Sequence, residues 1–439
     1  MRLGPLIAAA LLALTPALPA LAQDGSLHIE ITEGVTEPLS IAIPPFVDEG
    51  GAADLVGPIR DLVARDLTGT GLFRDLPQEA MLTRPGGFDE PVAWSEWRAI
   101  DTQALLTGAV SVVGDHVFVK FRLFDIYAGR PLGDGMQFDA ALDGQRRLAH
   151  KLADQVYTRL TGETPYFDSR IAFVAETGPR TRRVKRLALM DYDGAGLHYL
   201  TDGAELVLTP RFSPDGKHLT YVTFAGGTPR IALFDLDNMS VQQPPADPGT
   251  MSFSPRFTPD GRWLVYSQER GGNTDIWQMD VATGMRRALV EGPGIDTAPS
   301  VSPDGKRLAF ESDRSGRSQI YVMPMAGGEA KRISFGEGKY GTPVWSPQGD
   351  LIAFTLQKGD SFHIGAMRPD GSDERALTAS PHDEGPSWAP NGRVVIFTRQ
   401  EPGGKGVARL HSVDITGRNM RPVEMKAAAS DPSWGPLLP

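Results

Sequence analysis

One heptapeptide pattern constrains this chain more than any other feature. It reads Pro, any residue, a hydrophobe, a small residue, Pro, an acidic or amide residue, Gly. Copies begin at Pro210 (PRFSPDG), Pro255 (PRFTPDG), Pro299 (PSVSPDG), Pro343 (PVWSPQG) and Pro386 (PSWAPNG), and a shortened copy begins at Pro432 (PSWGP). The anchor prolines are spaced 45, 44, 44, 43 and 46 residues apart, the length of one β-propeller blade. Each copy is a turn: Pro presets φ, Asp or Asn bonds its own backbone, and Gly accepts φ > 0. An alternating strand follows, as at Leu308-Ala309-Phe310, then a polar link over 313–316, a third strand over 320–323 and a short fourth at 332–334. Each unit is therefore four antiparallel strands, A to D.

The count of strands predicts how the ring closes. Six A strands carry the anchor, but only five are followed by their own B, C and D. Residues 170–173 (RIAF) match the B strand at 307–310 (RLAF), 186–190 match a C strand and 199–201 a D strand. The last blade then takes A from the C-terminal end and B, C and D from residues 170–201. Such closure leaves no free sheet edge, where an open stack of repeats needs caps. The expected architecture is an N-terminal α/β domain over residues 23–165 followed by a six-bladed, all-β propeller over residues 166–439.

The region before the repeats mixes periods. Leu27 to Ile31 and residues 40–43 alternate as strands do, and 103–113 with 116–124 reads as a hairpin. Leu55, Ile59, Leu62, Val63 and Leu67 share one helical face, as do Leu148, Leu152, Val156 and Leu160 before a C-capping Gly162. Residues 1–22 read as a cleaved secretory signal: Arg2, an apolar run from Leu6 to Leu14, and Ala20-Leu21-Ala22 before Gln23. The run is too short to span a bilayer, so no membrane insertion is expected. The chain has no cysteine, which excludes disulfides and thiolate chemistry. Its net charge of −10 disfavours non-specific nucleic-acid binding.

Catalytic signatures are missing. There is no G-x-S-x-G elbow, no H-E-x-x-H helix and no phosphate loop. Asp215, Asp260 and Asp304 repeat within the turn motif and read as turn residues, and His363 and His411 read as packed strand C residues. Asp383 and Glu384 are adjacent, so on a strand they face opposite ways. Two readings nonetheless stand beside a scaffold: a propeller hydrolase or lyase with a convergent polar set at one channel mouth, and a glycan-binding module with an aromatic-lined pocket.

The chain resembles the TolB family of the Tol–Pal system. The likeness is carried by the signal, by residues 29–34 (IEITEG), 40–46 (SIAIPPF), 170–174 (RIAFV) and 190–194 (MDYDG), by the repeat set and by 432–436 (PSWGP). It implies a monomeric, non-enzymatic periplasmic scaffold without cofactor or metal, joining an energised inner-membrane complex to the outer membrane during cell constriction. The family docks the lipoprotein Pal on the propeller, at residues just before certain anchor prolines. By position these are Met251, Ser254 and Thr297, with Tyr340, Asp383 and Glu384 on equivalent rims. The family has His and Ala where Met251 and Ser254 stand. The resemblance also implies that the N-terminal segment engages the C-terminal domain of TolA. Leu27, Ile29 and Ile31 then pair as an added strand, in alternation with docking on their own domain.

Overall fold

The computed structural model describes Leu27, residues 37–401 and residues 407–439. The expected signal, 1–22, and both Ile29 and Ile31 lie outside these residues.

The N-terminal region is a mixed sheet backed by helices. Leu39–Ala42 lies parallel between Phe73–Asp75 and Ala104–Val113. Ala104–Val113 turns into an antiparallel partner, His116–Asp125, and Met136–Ala141 pairs with the far side of that partner. Helix α1 (Ala53–Gly69) buries Ile59, Leu62, Val63 and Leu67, the stripe that its period dictates. Helix α2 (Trp94–Ala99) is short and buries Trp97. Helix α3 (Gln145–Thr161) buries Leu148, Leu152, Val156 and Leu160 and ends at Gly162, whose φ of 69° makes it a left-handed cap. The chain leaves α3 under restraint, because Asp154 accepts the N–H groups of Tyr166, Phe167 and Asp168 at 3.1, 2.8 and 3.0 Å. Burial outweighs these bonds and pushes the Asp154 carboxyl up to about 7.

Six four-stranded antiparallel sheets follow. Blades 1 to 5 start at the anchors Pro210 to Pro386. Blade 3 shows the pattern, with A at Asp296–Val301, B at Arg307–Ser312, C at Gln319–Pro324 and D at Lys331–Arg332. Blade 6 is composite. Its A strand, Ala428–Leu437, pairs with Ser169–Thr177, which pairs onward with Val184–Asp191 and His198–Tyr199. Every A strand touches the A strands of both neighbours, so the six form the innermost ring around the channel. Apolar side chains fill the spaces between sheets, as where Ile276 of blade 2 meets Leu308, Phe310 and Tyr321 of blade 3.

The turn motif holds each A strand to its B strand. Asp215, Asp260 and Asp304 each accept a hydroxyl two residues earlier at 2.5 Å and a backbone N–H two residues later at 3.1 Å.

Helices α1 and α3 sit on blades 5 and 6, at the end of the ring that carries the A–B and C–D turns. Asp66 of α1 accepts the Tyr192 hydroxyl at 2.6 Å and lies 2.7 Å from His150 Nδ1. Burial disfavours the imidazolium of His150, but Asp66 outweighs it and holds the group above its ordinary range. Arg146 reaches Asp193 at 2.7 Å and Asp191 at 3.3 Å, and Asn419 donates to the Gly69 carbonyl at 2.9 Å. Tyr157, Tyr166, Phe167, Tyr192 and Trp434 interlock beneath, with ring centroids 4.5 to 6.4 Å apart. The opposite end, formed by D–A and B–C loops, stands clear of these contacts.

Candidate functional site

That clear end is shaped by one backbone device used six times. The residue before each anchor proline has positive φ: Thr209 at 47°, Ser254 at 51°, Ala298 at 50°, Thr342 at 47°, Gly385 at 67° and Asp431 at 54°. The A–B register shifts at each of these positions, so each is a β-bulge. A residue before proline is kept out of the right-handed helical region, and the left-handed region costs a non-glycine about 1–2 kcal/mol. Bonds to the preceding blade offset that cost. The N–H of Ala298 donates to Ser267 Oγ at 3.1 Å, Gly385 to Thr355 Oγ1 at 3.2 Å and Asp431 to Thr398 Oγ1 at 3.0 Å. The bulge thus staples each of these A strands to the B strand behind it and fixes the rim.

Offset from the anchor then decides what faces out. Three residues before the proline, Val207, Ser252, Asp296, Tyr340, Asp383 and Ala429 are all buried. Four residues before it, Leu206, Met251 and Ile295 are 40, 36 and 48% exposed on three consecutive blades. They make an apolar arc along the rim of blades 1 to 3, and Phe335, in the next D–A loop, is also exposed. Thr297 lies within this arc, half-buried and opposite Glu311. Beneath it Asp296 is fully buried against the Arg314 guanidinium, with both N···O distances 2.8 Å. Burial raises the Asp296 carboxyl even though Ser312 and Arg314 oppose it.

Two of the expected rim residues are not at the surface. Tyr340 is 1% exposed between blades 3 and 4, where its hydroxyl donates to Glu374 at 2.6 Å. Asp383 is fully buried and paired with Arg399 at 2.7 and 2.8 Å. Both belong to the inward-facing offset, and they brace the rim from within. Glu384, the next residue, is exposed. Surrounding protein nevertheless raises its carboxyl, helped by Asp431 on the adjacent blade. Met251 is exposed, and Ser254 is the bulge residue of blade 2. Leu206 and Ile295 were not singled out by the sequence reading, although their offset from the anchor marks them.

At the N-terminal end, Leu27 packs against the domain core and its N–H donates to Asp125 at 3.2 Å. Asp125 also accepts the N–H of Ala128 at 2.9 Å, so it anchors both the segment and a turn.

Comparison with known proteins agrees with this layout. The model of the TolB amino-terminal domain matches residues 27–132, and that of the TolB beta propeller domain matches residues 157–438. The chain belongs to the TolB family. The Tol-Pal system protein TolB of Cereibacter sphaeroides (strain ATCC 17025) is 56% identical over 438 residues, covering 100% of this chain and 99% of the relative. That of Roseobacter denitrificans is 56% identical over 421 residues, 95% of each. The crystal structure of TolB from Acinetobacter baumannii superposes with a TM-score of 0.79 at 27% identity, covering 94% of this chain and all of that one. As a TolB-family member, the chain is a non-enzymatic component of the Tol–Pal system. The readings as a hydrolase or a lyase give way to that membership.

Proposed function

We propose that this TolB-family chain is a monomeric periplasmic scaffold with two separate partner surfaces. The D–A rim of the propeller receives Pal, and the N-terminal segment receives the C-terminal domain of TolA. Together they couple the cell envelope layers during constriction and maintain outer-membrane integrity. The apolar arc of Leu206, Met251 and Ile295 carries the first assignment. An exposed apolar patch on a rim built from β-bulges is what a protein partner buries, and the end of the ring covered by α1 and α3 is already occupied. Met251, Ser254 and Thr297 form the contact, Glu384 supplies charge further round, and Tyr340 and Asp383 hold the rim in shape. Leu27, Ile29 and Ile31 form the TolA segment.

The test is titration calorimetry with purified Pal. Thr297→Arg places a charge where the contact must be desolvated. It should weaken the complex at least about tenfold, or about 1.4 kcal/mol, and Met251→Arg should act in the same direction. The melting temperature should stay that of the parent. Unchanged Pal affinity in both variants places the contact elsewhere.

A further inference from the structure

Two arginines on the innermost strands of the propeller make no ion pair among the described residues. Arg211 and Arg256 each follow the anchor proline of the innermost strand, in blades 1 and 2. Both are partly buried. Arg211 Nη1 donates to the backbone carbonyls of Pro210 at 2.6 Å and Pro432 at 3.4 Å. Arg256 makes neither an ion pair nor a side-chain hydrogen bond among the described residues. Enclosure disfavours the charge on both guanidiniums; Asp431 offsets part of this at Arg211, whereas Arg256 feels only the added repulsion of Arg211. The chain as a whole carries a net charge of −10, so this pair stands against the overall sign.

The same position in the other blades shows what is displaced. Ser300, Ser387 and Ser433 occupy it in blades 3, 5 and 6, and Val344 in blade 4. Each Oγ accepts a backbone N–H from the next blade: Trp345 at 3.1 Å, Trp434 at 2.9 Å and Phe212 at 3.2 Å. At the junctions from blade 1 to 2 and from blade 2 to 3, arginine replaces serine, and the equivalent N–H groups belong to Phe257 and Val301. A position that holds an acceptor at three junctions holds a donor at these two. Ser300 and Ser433 flank the arginines, and because each accepts a backbone N–H, each keeps its own O–H to donate. Water can satisfy some of these donors but leaves the Arg256 charge uncompensated, whereas a multi-oxygen anion satisfies donors and charge together. The geometry points to a binding site for one small oxyanion, of the phosphate or sulfate class, in the channel between Arg211 and Arg256.

Inorganic phosphate is the probe, titrated into the full chain at constant ionic strength. Calorimetry should give one saturable site, and the melting temperature should rise along the same curve. Arg256→Met and Arg211→Met should each weaken phosphate at least about tenfold. In phosphate-free buffer Arg256→Met should melt no lower than the parent, because it removes an enclosed charge. Should one variant fail to fold, the other reads the site. A linear, unsaturated response shared by parent and variants means a general salt effect and overturns the site. An equal response to acetate assigns the pair to carboxylates and overturns the oxyanion reading.

Discussion

At the residue scale, the rim rests on six residues held at positive φ, and the strain is measurable because five of them are not glycine. Ala298→Gly relieves the left-handed penalty and should stabilise the chain by about 1 kcal/mol. Gly385→Ala introduces the penalty at the equivalent place and should cost about as much. An added Cβ there meets no atom within 4 Å, so the loss reports backbone strain rather than a clash. Urea denaturation of both variants checks the pair, and shifts of the same sign would refute the account. Charge at the closing blade is a second residue-scale test. Glu176 accepts Ser430 Oγ at 2.8 Å and pairs with Arg183 at 2.7 Å and Lys185 at 3.1 Å. Burial pushes its carboxyl up, but Lys185, Ser430 and Arg183 outweigh burial and hold it below its ordinary 4.5. A depressed folded value contributes stability that is complete above 4.5 and is lost as pH falls through that depressed value. Glu176→Gln should therefore lose about 2 kcal/mol at neutral pH and converge with the parent in acid. A constant difference across pH would show that the ionised form is not what matters.

At the element scale, the closing A strand is the clearest prediction. It forms the inner edge of blade 6 and completes the ring. Removing residues 428–439 exposes the edge of Ser169–Thr177 and the flank of blade 1. The shortened chain should lose the cooperative melting transition of the propeller by circular dichroism, and a transition matching the parent would contradict closure. This element was legible because the turn motif marks every A strand, and a mismatch between six A strands and five sets of partners leaves one solution. The helical faces of α1 and α3 were legible from their period, and Gly162 from its place after the last apolar residue. The parallel pairing of Leu39–Ala42 with Phe73–Asp75 and Ala104–Val113 was not, because it joins segments far apart in sequence with no local signal. Helix α2 and the strand Met136–Ala141 are short, and that strand buries no residue fully, so their patterns were too weak to stand out. The rim was half legible. Loop membership grouped Tyr340 and Asp383 with Thr297, but strand alternation sends their offset inward and brings Leu206 and Ile295 outward instead.

At the scale of the whole molecule, the N-terminal domain covers one end of the ring and leaves the other free. Its hold on blades 5 and 6 is a buried polar set, Asp66, His150 and Tyr192, surrounded by interlocked aromatics. Leu27, at the head of the N-terminal segment, rests on Asp125 of its own domain. A partner that takes this segment must break that contact, so docking and release are alternatives. If Pal on the far rim biases that choice, TolA must change Pal affinity by the same factor. The central claim is that the two partners use separate surfaces, and calorimetry on a chain lacking residues 23–33 tests it most directly. The account predicts that binding to the TolA C-terminal domain disappears while Pal affinity stays at the parent value. Normal TolA affinity in the shortened chain would contradict it.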